Sequence, residues 1–284
     1  MRRPPPPILT AHLFPELDAR LLELMRSLEP ADWDRPTVAP AWNVRQVAAH
    51  LLDTALRRLS FGRDRWRAPA TAIRSDRDLV AFINDLNARG VVVLGALSPR
   101  VLIELMAVTT AALHEYLASL DPHAEAAIGV SWAGEQRSAV WFDVARELTE
   151  RWHHQQQMRL ATSREGILTD RLYRPVLDCF MRGAPHAYRD VDAPPGTITR
   201  VVITGPGGGA WHLERETESW VLVVPDESAS VDAAQVSAGT TVPGDLAWRL
   251  FTKSLRRDEA EASITVSGDA RLARQILRMV AIVG

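Results

Sequence analysis

The residues best suited to chemistry lie in Arg146–Arg159, RELTERWHHQQQMR. The stretch is rich in helix formers and has no Gly or Pro, so it reads as helix. Positions i and i+4 lie one above the other on a helix face, which sets Glu150 beneath His154. A carboxylate and an imidazole so placed can share one divalent metal ion without first ordering a loop. A third ligand has to come from elsewhere, and His50, in WNVRQVAAHLLD, is the best candidate. A competing reading exists. Asp143, Glu147, Glu150, His154 and Gln157 form one polar stripe opposite Val140, Trp141, Val144, Leu148 and Trp152, and such a stripe is ordinarily a solvated face. His50 by itself reads equally as a hydrogen-bonded histidine at the edge of an apolar stripe. His153 points about 100° away from His154 and is expected at the surface, the alternative being a place behind the ligands. Glu147, one turn before Glu150, could orient a ligand, and so could Gln157.

The elements that must position these residues follow from periodicity. After a proline-rich arm over residues 1–7, leucines at helical spacing predict a helix over Leu9–Leu28. Asn43, with Gln46 three residues on, reads as a capping box opening a second helix that runs to about Trp66. Its stripe is Val44, Val47, Ala48, Leu51, Leu52, Ala55 and Leu59, with His50 at the edge. Further helices are expected over Asp76–Leu97, Arg100–Leu120 (Leu102, Leu105, Met106, Leu113 and Leu117 on one side), Ser138–Ala161 and Thr169–Met181. The Pro/Gly-rich RGAPHAYRDVDAPPG marks a boundary near Gly183–Gly196. Beyond it the period falls towards two. Strands are expected at Ile198–Thr204, Ala210–Glu216, Ser219–Val224, Val231–Ala238 and Ser263–Val266, with Pro206–Gly209 as a hairpin turn. That turn is no dinucleotide loop, because Ala210 stands where a third Gly is required and a strand follows. Asp245 and Asp269 are expected to cap two C-terminal helices.

Composition narrows the function classes. The chain has 284 residues, 46% hydrophobic and 24% charged, with a formal charge of -2. That balance argues against a nucleic-acid or anionic-membrane surface. No run of about 18 apolar residues and no export signal is read, so a cytoplasmic location is expected. Cys179 is the only cysteine. It allows no intrachain disulfide, fits a reducing compartment, and lies on an apolar helical stretch as a buried thiol. It also limits covalent thiol chemistry by the protein itself.

WNVRQVAAHL, followed about a hundred residues later by ERWHH, resembles the metal-binding N-terminal domain of the mycothiol-dependent maleylpyruvate isomerase family, part of the DinB-like superfamily. The paired strands, TKSL and VSGDARLARQIL resemble that family's sterol-carrier-like second domain. The resemblance implies an α plus α+β fold: an antiparallel DinB-like four-helix-type bundle over residues 1–183 and a small sterol-carrier-like α+β domain over 184–284. It implies a divalent metal, zinc by preference, on His50, Glu150 and His154, with mycothiol or another low-molecular-weight thiol as cofactor. The implied activity is a metal- and thiol-dependent isomerase or S-transferase on a small electrophile. The family's substrate-binding arginine comes from the second domain, where Arg215 and Arg249 are candidates by domain only. A small-molecule substrate, no nucleic-acid or membrane partner, and a monomer or homodimer are expected. Two alternatives stay open: a non-catalytic protein binding a metal or hydrophobic ligand, and a metal-dependent hydrolase in which the ion activates water.

Overall fold

The capping box at Asn43 is formed. The Asn43 side chain accepts from the Gln46 N–H at 2.9 Å, and Gln46 Oε1 accepts from the Asn43 N–H at 2.9 Å. It satisfies two of the donors that a helix start leaves unpaired and launches α2, Val44–Arg57, which continues into a π-helical turn at Arg58–Arg63. This computed structural model describes residues 3–66, 75–224 and 235–282. The described residues cluster into two compact units: Thr10–Asp121 with Glu147–Ile167, and Met1–Leu9 with Pro122–Arg146 and Leu168–Ile282.

The helical unit contains α1 (Phe14–Arg26), α2, α3 (Asp76–Leu94), α4 (Pro99–Ala118) and the larger part of α5 (Val140–Thr162). α1 packs on α4, and α2 on α3 and α4. Leu21, Met25, Val47, Leu51, Leu102, Met106 and Met158 meet in one core. Each such side chain contributes roughly 1.5–3 kcal/mol by leaving water. Leu105 does not join them and is 42% exposed. It lies about 60° from Leu102, on the side away from Met106, and continues the exposed flank of Val101 and Val108. α4 has 20 residues and a hydropathy of 1.4, enough by length and composition to cross a membrane. In this unit its Leu102, Met106, Leu113 and Leu117 are buried.

A buried ion pair ties this unit together. Arg151 Nε donates to Asp18 Oδ1 at 2.9 Å and Nη2 donates to the same oxygen. His114 Nε2 lies 2.8 Å from Asp18 Oδ2, and Arg151 Nη1 reaches the Leu51 carbonyl at 3.4 Å. One carboxylate thus links α1, α4 and α5.

The second unit holds α6 (Asp170–Met181, capped by Thr169), the short α7 (Ala184–Tyr188) and a five-stranded sheet. Its strands are β1 (Ile198–Thr204), β2 (Gly209–Arg215), β3 (Trp220–Val223), β4 (Ala238–Pro243) and β5 (Thr265–Gly268), in the order β3-β2-β1-β4-β5. β1 and β4 are parallel and all other pairs antiparallel. α8 (Gly244–Phe251), α9 (Arg257–Ser263) and α10 (Ala270–Arg274) follow in sequence. The hairpin turn between β1 and β2 sits against α6. Gly207 has φ +71° and donates its N–H to Asp170 Oδ1 at 2.6 Å, and a Cβ there would lie 2.8 Å from the Arg174 nitrogen. The glycines serve this close approach.

Several expectations need correction. The compact units do not divide at Gly183–Gly196, since residues 122–146 and 168–183 cluster with the sheet. The change of period marks a change of secondary structure only. Within that Pro/Gly segment a helix forms, α7, with Pro185 in its first turn, where the missing N–H is harmless. The strand expected at Val231–Ala238 falls partly on residues 231–234, outside the described residues, and β4 begins at Ala238. Asp245 makes no cap bond; Pro243 is the N-cap of α8, and Asp245 lies in its first turn. Asp269 does cap α10, accepting from Arg271 and Leu272 at 2.8 and 3.1 Å. α9 was not foreseen, and β5 starts two residues later than expected.

Removing one partner of a buried pair leaves the other charge desolvated and alone. Asp18→Asn should therefore cost on the order of 3–5 kcal/mol, read as a lower urea midpoint. Arg100→Ala, at the exposed Arg100–Glu104 pair, should change stability by less than about 1 kcal/mol. Equal shifts for the two variants would refute the assignment.

Candidate metal centre

The polar stripe of α5 is buried. Asp143, Glu147, His153, His154 and Gln157 are all at most 8% exposed, and only Glu150 remains partly open, with 25% of its side chain accessible. The solvated-face reading is overturned, and so is the surface placement of His153. A hydrophobic stripe on one side of a helix does not decide what covers the other. Buried polar groups must find partners, and those partners define the site.

Glu150, His153 and His154 present ligand atoms that all lie within 4.8 Å of one another. His154 Nε2 stands 3.7 Å from Glu150 Oε2, and His153 Nδ1 stands 3.8 Å from the same oxygen. Two donors on one tetrahedral zinc-like ion, each bonded at roughly 2.1 Å, are separated by about 3.4 Å. The spacing of Glu150 and His154 is therefore close to that of a ligand pair. The helix delivers it directly through the i, i+4 relation.

His50 adjoins this pair from α2. Its ring centroid lies 4.6 Å from that of His154 in an edge-on arrangement, and its buried Nδ1 has no hydrogen-bond partner among the described residues. Trp42, just ahead of the Asn43 cap, packs its indole 4.6 Å from His50 and 5.8 Å from His154. Of the three residues expected as ligands, Glu150 and His154 share one cluster of ligand atoms, His50 packs its ring on that of His154, and the third member of the cluster is His153. His153 Nδ1 faces the Thr149 carbonyl at 3.2 Å, and a carbonyl oxygen only accepts, so that nitrogen carries its proton. His154 Nδ1 likewise faces Gln157 Oε1 at 2.9 Å, which leaves the Nε2 lone pair towards Glu150. Glu147 is buried one turn before Glu150. Arg215 ends β2 and Arg249 lies in α8, both in the sheet-containing unit, and neither has geometry that singles it out as a substrate anchor.

The imidazoles are held neutral. Burial depresses His154 to about 3; the neighbouring His153 adds to this, while Glu150 and Gln157 oppose it. Burial depresses His153 to about 4 against the opposing Thr149 hydrogen bond. Burial, with the charges of His154 and Arg57, holds His50 well below the ordinary imidazole range. Only a neutral imidazole offers a lone pair to a metal. An orphaned buried nitrogen, two neutral rings and one partly open carboxylate fit a divalent ion.

With this geometry in hand, comparison with known proteins becomes informative. The family model described as the mycothiol maleylpyruvate isomerase N-terminal domain matches residues 14–159. The chain belongs to that family. The match takes in WNVRQVAAHL and ERWHH, and so His50, Glu150, His153 and His154. Two crystal structures are similar in part, those of the mycothiol-dependent maleylpyruvate isomerase and of a point mutant of it. They share 10% and 11% identity with this chain, each at a TM-score of 0.48, covering 90% of this chain and 91% of theirs. No curated protein matches the sequence.

Sequence reasoning missed the burial of His153 and the role of Arg151 with Asp18. His153 carried no local signal, since its sequence neighbours on the helix point about 100° away from it. Arg151 carried none either.

The depressed histidines make a signed prediction. Between pH 6.5 and the folded values the unfolded chain binds more protons, so stability is fully present above about pH 6.5 and falls as pH falls. The metal-free protein should lose up to about 1.4 kcal/mol per pH unit for each such histidine. Urea midpoints taken between pH 7 and pH 5 (about two units) should show this decline, and His153→Gln should make it shallower by the share of one histidine. A flat profile in the wild type would contradict the burial.

Proposed function

We propose that this protein is a metal-dependent, thiol-dependent isomerase or S-transferase acting on a small electrophile, in the manner implied by its family. The observation that carries the reading is the packing of the buried His50 ring from α2 on the buried His154 ring of α5, with Glu150 Oε2 3.7 Å from His154 Nε2 and burial holding both rings neutral. A zinc-like ion held there would supply Lewis acidity, lowering the pKa of a low-molecular-weight thiol such as mycothiol so that it is nucleophilic at neutral pH. The chain's own residues do the rest. His50, Glu150 and His154 would hold the ion, and two neutral rings with one carboxylate would leave it a net positive charge. Trp42 packs against the two imidazoles and would help to orient them. Cys179 is buried and takes no part, so the attacking sulfur belongs to the added thiol. Addition of that thiolate to an electrophilic double bond, rotation and elimination would complete a cis-trans isomerisation. A cytoplasmic setting fits the single buried cysteine.

Metal content tests this. The wild type, purified without chelator and reloaded with zinc, should hold about one equivalent, and His154→Ala should lose most of it. His50→Ala should weaken zinc binding by well over about tenfold, measured by competition with a chelating dye. No metal in any variant would sink the proposal in favour of a binding protein. Ester hydrolysis without thiol would favour the hydrolase instead.

A further inference from the structure

Three consecutive glutamines follow His154, and their surroundings differ. Gln155 is fully buried with both amide atoms unpartnered, and Gln156 Oε1 is also buried without a partner. Gln157 is different: one turn after His154, its Oε1 accepts from His154 Nδ1 at 2.9 Å, in a buried setting. A histidine has two ring nitrogens, and the partner of one decides which is left to bind a metal. Glu150 meets Nε2 of the same ring at 3.7 Å, so ring, carboxylate and amide stand in one line on α5.

We propose that Gln157 is a positioning residue that fixes the tautomer and the orientation of His154, so that Nε2 is the nitrogen offered to the metal. The inference rests on the metal reading above and adds to it a residue that never touches the ion. The acceptor is an uncharged amide, so it orients the ring without adding a negative charge, and the centre keeps its net positive charge. Helical geometry gives the arrangement its rigidity. Glu150, His154 and Gln157 are spaced four and then three residues apart on α5, and Gln157 is 4% exposed, so its amide has little freedom to leave the ring.

The test uses the full-length protein with ¹⁵N-labelled histidine and zinc chloride as the probe. In the metal-free wild type the His154 signal should report the proton on Nδ1. Gln157→Met keeps the length of the side chain and removes the acceptor, so the His154 tautomer should become mixed and zinc affinity should fall about 10–100-fold. Gln157→Glu restores an acceptor and should bring affinity back to the wild-type level or above, which a purely packing role would not do. A wild-type His154 protonated on Nε2 overturns the proposal, and so does zinc affinity in Gln157→Met within about twofold of wild type, since orienting partners are worth more than that. Failure of the wild type to bind zinc would sink the metal reading alone, because the tautomer signal in the metal-free protein still shows whether Gln157 holds the ring. Gln157→Leu replaces Gln157→Met if that variant does not fold.

Discussion

The buried carboxylate of Asp18 is the constraint on which the helical unit depends. It lies on α1, receives Arg151 from α5 and sits against His114 from α4. A guanidinium that is 2% exposed cannot be left without a counter-charge, since an isolated buried ion costs several kcal/mol. The pair thereby fixes the rotation of α5 about its own axis. That rotation matters for the site, because Glu150 and His154 flank Arg151 in sequence. Turn the helix by one residue, about 100°, and the imidazole that meets His50 would face elsewhere.

Around that fixed helix the site is built from groups that differ in their freedom. The rings of His153 and His154 are each tied through Nδ1, to the Thr149 carbonyl and to Gln157 respectively. His50 packs against Trp42 and His154, and among the described residues its Nδ1 has no hydrogen-bond partner. Burial lowers the basicity of all three, which is unfavourable for folding in acid and favourable for metal binding at neutral pH. The same low-dielectric surroundings that depress the histidines would strengthen the pull of a bound cation on an incoming sulfur.

The sheet-containing unit shows the same economy in its turns. Gly207 and Gly209 lie where a Cβ would strike α6, and Arg174 lies over the Trp211 ring at 4.7 Å while pairing with Asp178. Trp211 Nε1 donates to that same Asp178 at 2.9 Å. The turn, the strand and the helix are thus joined by one hydrogen-bonded and stacked cluster. The N-terminal arm is held in a comparable way, with Arg182 donating to the Pro5 carbonyl at 3.1 Å and lying over Trp141.

The sequence by itself determined the local elements and the pairing of ligands within one helix. Asn43 with Gln46 announced α2 because a capping box is a purely local exchange of hydrogen bonds. The period of two announced β1 to its exact ends, and the i, i+4 relation set Glu150 under His154, since neither depends on anything distant. Leu105 and Asp245 were misread because exposure and capping are decided by neighbours that local pattern does not contain. Tertiary structure alone decided that the polar face of α5 is buried. It alone brought His50 from α2 to within 4.6 Å of His154 and chose Asp18 as the partner of Arg151. These are contacts across about a hundred residues of chain, and a spacing rule that spans one helical turn has no reach over that distance.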